Sequence, residues 1–244
     1  MDRDVIGGFK GNFVVRRLTE TLTFFRVYAR DIGKFLLYST FPVIIVENFI
    51  SYYAMTYDLP GEMRHLPIII HFLYQPIYMG GLIYLISKIV SGETWSVKEC
   101  LLTGLGCWAN LLLVNIISSC LIILGLFALI VPGLYVFARL SLAEFIVVLG
   151  RVNCIEALHR SYTVTRGFTW QIIGSCLILS GLLLGLQFLI HLVIISLSLQ
   201  SLIAFMVSEL LVIVLWSTFT ILLFRFYDLA SRTLRELPDH EFQA

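Results

Sequence analysis

Three charged side chains stand inside long apolar runs: Glu47, Arg139 and Glu209. A charge at the centre of a bilayer costs roughly 2.5 to 3.5 kcal/mol on insertion scales, so one that persists needs a partner or a wet path. Glu47 stands seven residues before Ala54, Arg139 six after Gly133, and Glu209 seven after Leu202. At about 1.5 Å of rise per helical residue, all three fall about 10 Å inside the same boundary. The spacing predicts that Arg139 pairs with Glu47 or with Glu209. Together the three would form a polar site within the bundle.

The remaining polar residues in these runs are candidates of the same kind. Glu144 follows Arg139 by five residues and therefore takes a different helix face, where it either snorkels toward the headgroups or sits as the neutral acid. His71 with Gln75, and Gln187 with His191, are four residues apart and share a face. Asn110 and Asn115 share one run. Interhelical polar bonds are worth only about 0.6 kcal/mol on average, so they specify packing as readily as transport, and a lone membrane histidine reads first as a packing residue. The sequence holds no nucleotide-binding glycine loop, no His-Glu-x-x-His, no serine elbow and no acidic loop pair. The expectation is a protein without enzymatic activity, cofactor or metal. Five cysteines (Cys100, Cys107, Cys120, Cys154, Cys176) lack any short paired spacing and read as small, reduced apolar residues.

What positions these side chains is a membrane-spanning all-α chain. Hydrophobic residues make up 59%, charged residues 14%, and the mean hydropathy is +0.91, against roughly 45 to 50% and 25% for a soluble domain. About 20 apolar residues cross a hydrocarbon core of about 30 Å. Six spans are predicted, at 34–54, 67–88, 104–131, 134–149, 170–195 and 202–224, with Pro132-Gly133 as the turn between the third and fourth. The chain thus divides into a basic amphipathic segment (1–33), a six-helix membrane domain (34–224) and a tail (225–244). Of the 17 Lys and Arg, all except Arg64 and Arg139 precede the first span, flank or fill the second and fourth gaps, or lie in the tail. Cationic loops resist translocation, so both ends are expected in the cytoplasm. The first 17 residues lack a continuous apolar region, which argues against a cleaved signal. The gaps on the other face are short, 55–66 being the longest, and no basic fold for nucleic acid is present.

An internal repeat is visible. Glu20-Thr21-Leu22 matches Glu156-Ala157-Leu158, Arg30 falls on Arg166, and Phe35-Leu36-Leu37 on Gln171-Ile172-Ile173; a fainter third copy begins at Glu99-Cys100-Leu101. Each copy is a short amphipathic helix followed by a membrane hairpin, a parallel arrangement unlike the inverted repeats of many transporters. In 152–166, Ile155, Leu158 and Tyr162 follow helical spacing while Glu156, His159, Arg160 and Arg166 occupy other faces, which predicts a helix lying flat at the headgroups, with Trp95 and Trp170 in an aromatic belt. Gly80-Gly81, and Gly181 with Gly185, read as close helix contacts.

The run Ile130-Val131-Pro132-Gly133-Leu134-Tyr135, continuing through Arg139-Leu140-Ser141-Leu142-Ala143 to Glu156-Ala157-Leu158-His159-Arg160-Ser161 and Thr165-Arg166-Gly167, resembles the YciC-like bacterial inner-membrane proteins. More distantly it resembles the membrane region fused to some glycerophosphodiester phosphodiesterases. The close Leu223-Phe224-Arg225-Phe226-Tyr227 is similar to that family's Leu-Phe-Arg-Leu-Tyr, and the likeness covers mainly 130–227. It implies a six-helix protein of the bacterial inner membrane with no catalytic residues to carry over. Glu144 departs from the family, which often has proline or another uncharged residue there. The expected function is a lipid-interacting scaffold or accessory subunit in envelope homeostasis, with membrane lipids and a second membrane protein as partners. The competing expectation is a carrier of a lipid or small amphiphile.

Overall fold

The computed structural model describes residues 11–57, 65–196 and 202–236, and among them every regular element is helical. In chain order these are α1 (Gly11–Ser39), α2 (Phe41–Thr56), α3 (Leu66–Ser91), α4 (Val97–Gly106), α5 (Trp108–Ala128), α6 (Ile130–Leu140), α7 (Ala143–Gly150), α8 (Cys154–Val164), α9 (Thr169–Ser196) and α10 (Leu202–Glu236). A 3-10 turn, Thr165–Gly167, joins α8 to α9. Among the described residues five stretches are long and apolar enough to cross a membrane: α3, α5, α6 with α7, α9, and Met206–Ser231 of α10. The α1–α2 pair makes a sixth when counted as one span bent by 45°. Arg3, Lys10, Arg64, most of the 55–66 connection and the tail beyond 236 lie outside the described residues.

Helix breaks fall at different places from those expected. No helix break falls at 33/34 or 224/225, since α1 and α10 run straight through them. Entry into a headgroup layer leaves the backbone ladder intact, and what bends the first span is Pro42. It stands in the first turn of α2, where it lacks an N–H to continue the ladder from α1. The third and fourth spans part at Leu129, whose extended backbone separates α5 from α6. Pro132-Gly133 is therefore in the opening turn of α6 and not the stop of α5. Proline is tolerated in a first turn, whose N–H groups lack partners anyway. Gly133 serves contact, since a Cβ built on facing Gly125 would lie 2.8 Å from the Gly133 Cα.

The core gathers toward one end of the bundle. Ile32, Phe35 and Leu36 of α1 join Leu82, Ile83, Leu85 and Ile86 of α3, Ile172 and Cys176 of α9, and Leu222 and Phe226 of α10. At the other end, hereafter distal, Ile68, Leu124, Phe127, Phe188 and Leu211 are exposed. Exposed apolar side chains are at no disadvantage in a hydrocarbon solvent, so helices held tightly at one end can splay at the other. α4 lies along α3 through Gly80, Gly81 and Gly104, and Trp108 Nε1 donates to the Leu73 carbonyl at 2.8 Å, three residues before the helix-interior Pro76. Gly181 and Gly185 have nothing within 4 Å of an added Cβ, so the close contact expected there is absent.

α8 buries a stripe of small residues, Cys154, Ala157 and Ser161, while Ile155 and Tyr162 are exposed. Small residues permit close approach, and two hydroxyls anchor it. Ser161 Oγ donates to the Arg139 carbonyl at 2.8 Å and accepts from the Leu142 N–H at 3.2 Å; Thr165 Oγ1 donates to the same carbonyl at 3.1 Å. They satisfy backbone groups freed where α6 breaks into α7. A buried donor left without a partner costs about 1 to 3 kcal/mol. Ser161→Ala is expected to destabilise the protein by about 2 kcal/mol on that account, read as a shift in the detergent-denaturation midpoint followed by circular dichroism. An unchanged midpoint would mean the hydroxyl is dispensable.

Candidate functional site

α2, α3 and α10 pack against one another in the distal half. Helical spacing places polar residues from all three on the same cleft. Glu47, Asn48 and Ser51 come from consecutive turns of α2, His71 and Gln75 from one face of α3, and Glu209 from α10. With Pro67, Ile68 and Phe72 they line a cavity of about 460 Å³, within the size range of small-molecule sites.

Hydrogen bonds fix part of this set. Asn48 Nδ2 donates both to the Ile44 carbonyl of its own helix at 2.9 Å and to Glu209 Oε2 at 2.8 Å, which ties α2 to α10. Ser51 Oγ donates to the Glu47 carbonyl at 2.9 Å. Glu47 is 7% exposed. Among the described residues its Oε1 accepts no hydrogen bond; His71 Nδ1 faces it at 3.4 Å, an ion pair only when the imidazole carries its second proton. Among the described residues the lining holds two carboxylates, two side-chain amides and one imidazole, and neither Lys nor Arg. It is rich in acceptors and electronegative, and Ile68 and Phe72 continue it into the exposed apolar flank of α3.

The expected pairing of Arg139 with Glu47 or Glu209 does not form. Arg139 is 3% exposed, and its guanidinium carbon lies 3.8 Å from the ring centroid of Tyr162 and 5.7 Å from that of Tyr135. Its Nε and Nη1 make no hydrogen bond, and among the described residues no carboxylate pairs with it. The reason is the packing of α6, which lies chiefly against α5, α8 and α9. Of the other candidates, Glu144 lines a separate cavity of about 220 Å³ with Asn115, Ser118 and Thr220. His191 Nδ1 lies 2.9 Å from the Gln187 carbonyl one turn earlier, while Gln187 Oε1 accepts from Trp216 Nε1 at 3.2 Å. Asn110 borders a third cavity beside Arg151.

The structure therefore unites Glu47, His71 and Glu209 and leaves Arg139, Glu144 and His191 outside. Sequence reasoning missed Asn48 and Ser51, although the signal was present, since both are polar residues in the same apolar run within one turn of Glu47. A larger groove of about 670 Å³ runs between α1, α3 and α10 at the proximal end. Its charges are already engaged, Glu20 with Arg16 and Arg17, and Arg225 over the Phe24 ring. Among the described residues, no group of three or more His, Cys, Asp or Glu is arranged to hold a metal ion. Comparison with family models, curated proteins and solved structures finds no match for this chain.

Proposed function

We propose that this chain is a non-enzymatic integral membrane protein that holds a lipid or small amphiphile in the cleft between α2, α3 and α10. The observation that carries the reading is a polar lining set among apolar, lipid-facing side chains: Glu47, Gln75 and Glu209 for a headgroup, Ile68 and Phe72 for a chain. Ionisable residues within membrane helices mark binding or conduction sites by default. One form of the reading is a lipid-interacting scaffold or accessory subunit of the bacterial inner membrane, in keeping with the YciC-like resemblance. The other is a carrier. A scaffold calls for intramembrane charges that neutralise one another in a dry core; Glu47 and Glu209 instead share a cavity whose lining, among the described residues, has no Lys or Arg, which favours the carrier.

The same reading takes both ends to lie on the cytoplasmic face, which a count of six crossings and the distribution of Lys and Arg support. It also takes the chain as three parallel copies of a helix followed by a membrane hairpin. Burial at matched positions supports that: Thr21, Cys100 and Ala157 are buried, as are Ile32, Leu111 and Phe168, and Phe35, Val114 and Gln171.

Native mass spectrometry of the protein extracted gently from its own membrane tests the function. The expected result is a stoichiometric lipid or amphiphile that is retained by the unmodified chain and lost from Glu209→Gln. Loosely bound annular lipid alone would overturn the cleft as a binding site, and a bound partner chain with only such lipid would favour a scaffold without a ligand.

A further inference from the structure

Resting on that reading, we infer that the headgroup this cleft selects is a cation, specifically a primary ammonium carried on an alkyl chain. Two carboxylates face one cavity, and among the described residues the only other ionisable group in the lining is His71. Charged or neutral, a single imidazole cannot balance both carboxylates when they are ionised. Glu209 already accepts from Asn48, but Glu47, nine-tenths buried, has an oxygen that accepts no hydrogen bond among the described residues and faces only the His71 Nδ1, at 3.4 Å. A carboxylate withdrawn from water and left with an unfilled acceptor is the group that gains most from an incoming donor.

An ammonium supplies three N–H donors and one positive charge from a single compact atom. The lining offers the Glu47 and Glu209 carboxylates and the Gln75 side-chain carbonyl as acceptors. A quaternary ammonium has no N–H to give, and among the described residues the cleft lining lacks the aromatic cage that such groups use, Phe72 being its single ring besides the His71 imidazole. A phosphate or carboxylate headgroup would bring acceptors to acceptors. Pro67, Ile68 and Phe72 form the apolar wall against which the attached chain lies. The same chemistry arises from a free alkylamine or from a lipid with an ethanolamine head.

The test uses a Ser51→Cys reporter, since among the described residues the Ser51 hydroxyl bonds only to its own helix, with a water-soluble maleimide and the labelled position mapped by mass spectrometry. In neutral maltoside detergent, dodecylammonium should slow labelling of position 51 about tenfold, the effect of a charge-assisted hydrogen bond worth about 1.5 kcal/mol. Dodecyl phosphate and the uncharged dodecyl glyceryl ether should slow it less than about twofold by the same measure. Adding Glu47→Gln should abolish the preference in a chain whose gel-filtration profile is unchanged. Equal protection by all three amphiphiles, or a preference for the phosphate, overturns the cationic assignment and leaves amphiphile binding standing. Protection by none overturns both. Because the ligand panel is run on the reporter itself, the cationic assignment stands or falls on it even where Glu47→Gln fails to fold. Reconstitution in vesicles of phosphatidylethanolamine against phosphatidylglycerol separates the two sources: protection in the first alone identifies the lipid, and protection only on adding free amine identifies the soluble ligand.

Discussion

Gly104→Ala should destabilise this protein by about 3 kcal/mol, at the upper end of overpacking effects, although alanine is the better helix former by about 1 kcal/mol. An ideal Cβ at position 104 lies 2.1 Å from the Ile77 carbonyl oxygen and 3.0 Å from the Gly81 nitrogen. Both obstacles are backbone, so neither can rotate away. α3 and α4 would have to separate by about 1 Å to restore ordinary contact. That shift would also strain the approach of Gly81 to the Cys100 carbonyl and the bond from Trp108 to Leu73. In a bilayer, where packing and not water expulsion holds helices together, little else compensates. Gly185→Ala is the control: with nothing within 4 Å it should leave stability unchanged or raise it by up to about 1 kcal/mol. Both are read from unfolding midpoints in mixed detergent, and equal stability of the two variants would show that α3 and α4 are not in this contact.

Position along a helix was legible in the sequence; rotation about its axis was not. A fixed rise per residue put Glu47 and Glu209 at one depth, and they do share a cleft. The same arithmetic gave Arg139 a similar depth, yet depth carries no information about which neighbour a face meets, and α6 turns Arg139 toward Tyr162 of α8. The glycines divide in the same way. Gly80 and Gly81 meet α4, while Gly181 and Gly185 have the same character in sequence and meet nothing. In α8 the hydropathy pattern drew attention to Ile155 and Tyr162. The packed face is Cys154, Ala157 and Ser161, whose small side chains weigh little on a hydropathy scale and allow the closest approach. Pro132 misled for a related reason: a proline can end one helix or open the next, and only the backbone of Leu129 decides between them.

Arg139 then poses a sharper question than the pair it was expected to form. A guanidinium stays charged at any pH the protein survives. This one is almost wholly buried, and two of its nitrogens lack hydrogen-bond partners. What faces it is the π surface of Tyr162, with Tyr135 farther off. A desolvated cation over a ring gains about 2 kcal/mol or more, which offsets only part of what burying a charge costs. Two results follow for unfolding midpoints in detergent. Arg139→Met, apolar and of similar length, should leave stability equal to the unmodified chain or raise it by about 1 to 4 kcal/mol, as apolar replacements of buried ions do. Tyr162→Leu should cost about 2 kcal/mol while Arg139 is present and far less in the Arg139→Met background, because most of its value lies in facing the cation. Glu47→Gln and Glu209→Gln, by contrast, should add to Arg139→Met within about 0.5 kcal/mol, as sites without shared partners do. Coupling of either glutamate to Arg139 above about 1 kcal/mol would reinstate the ion pair and dispose of the aromatic contact as its substitute.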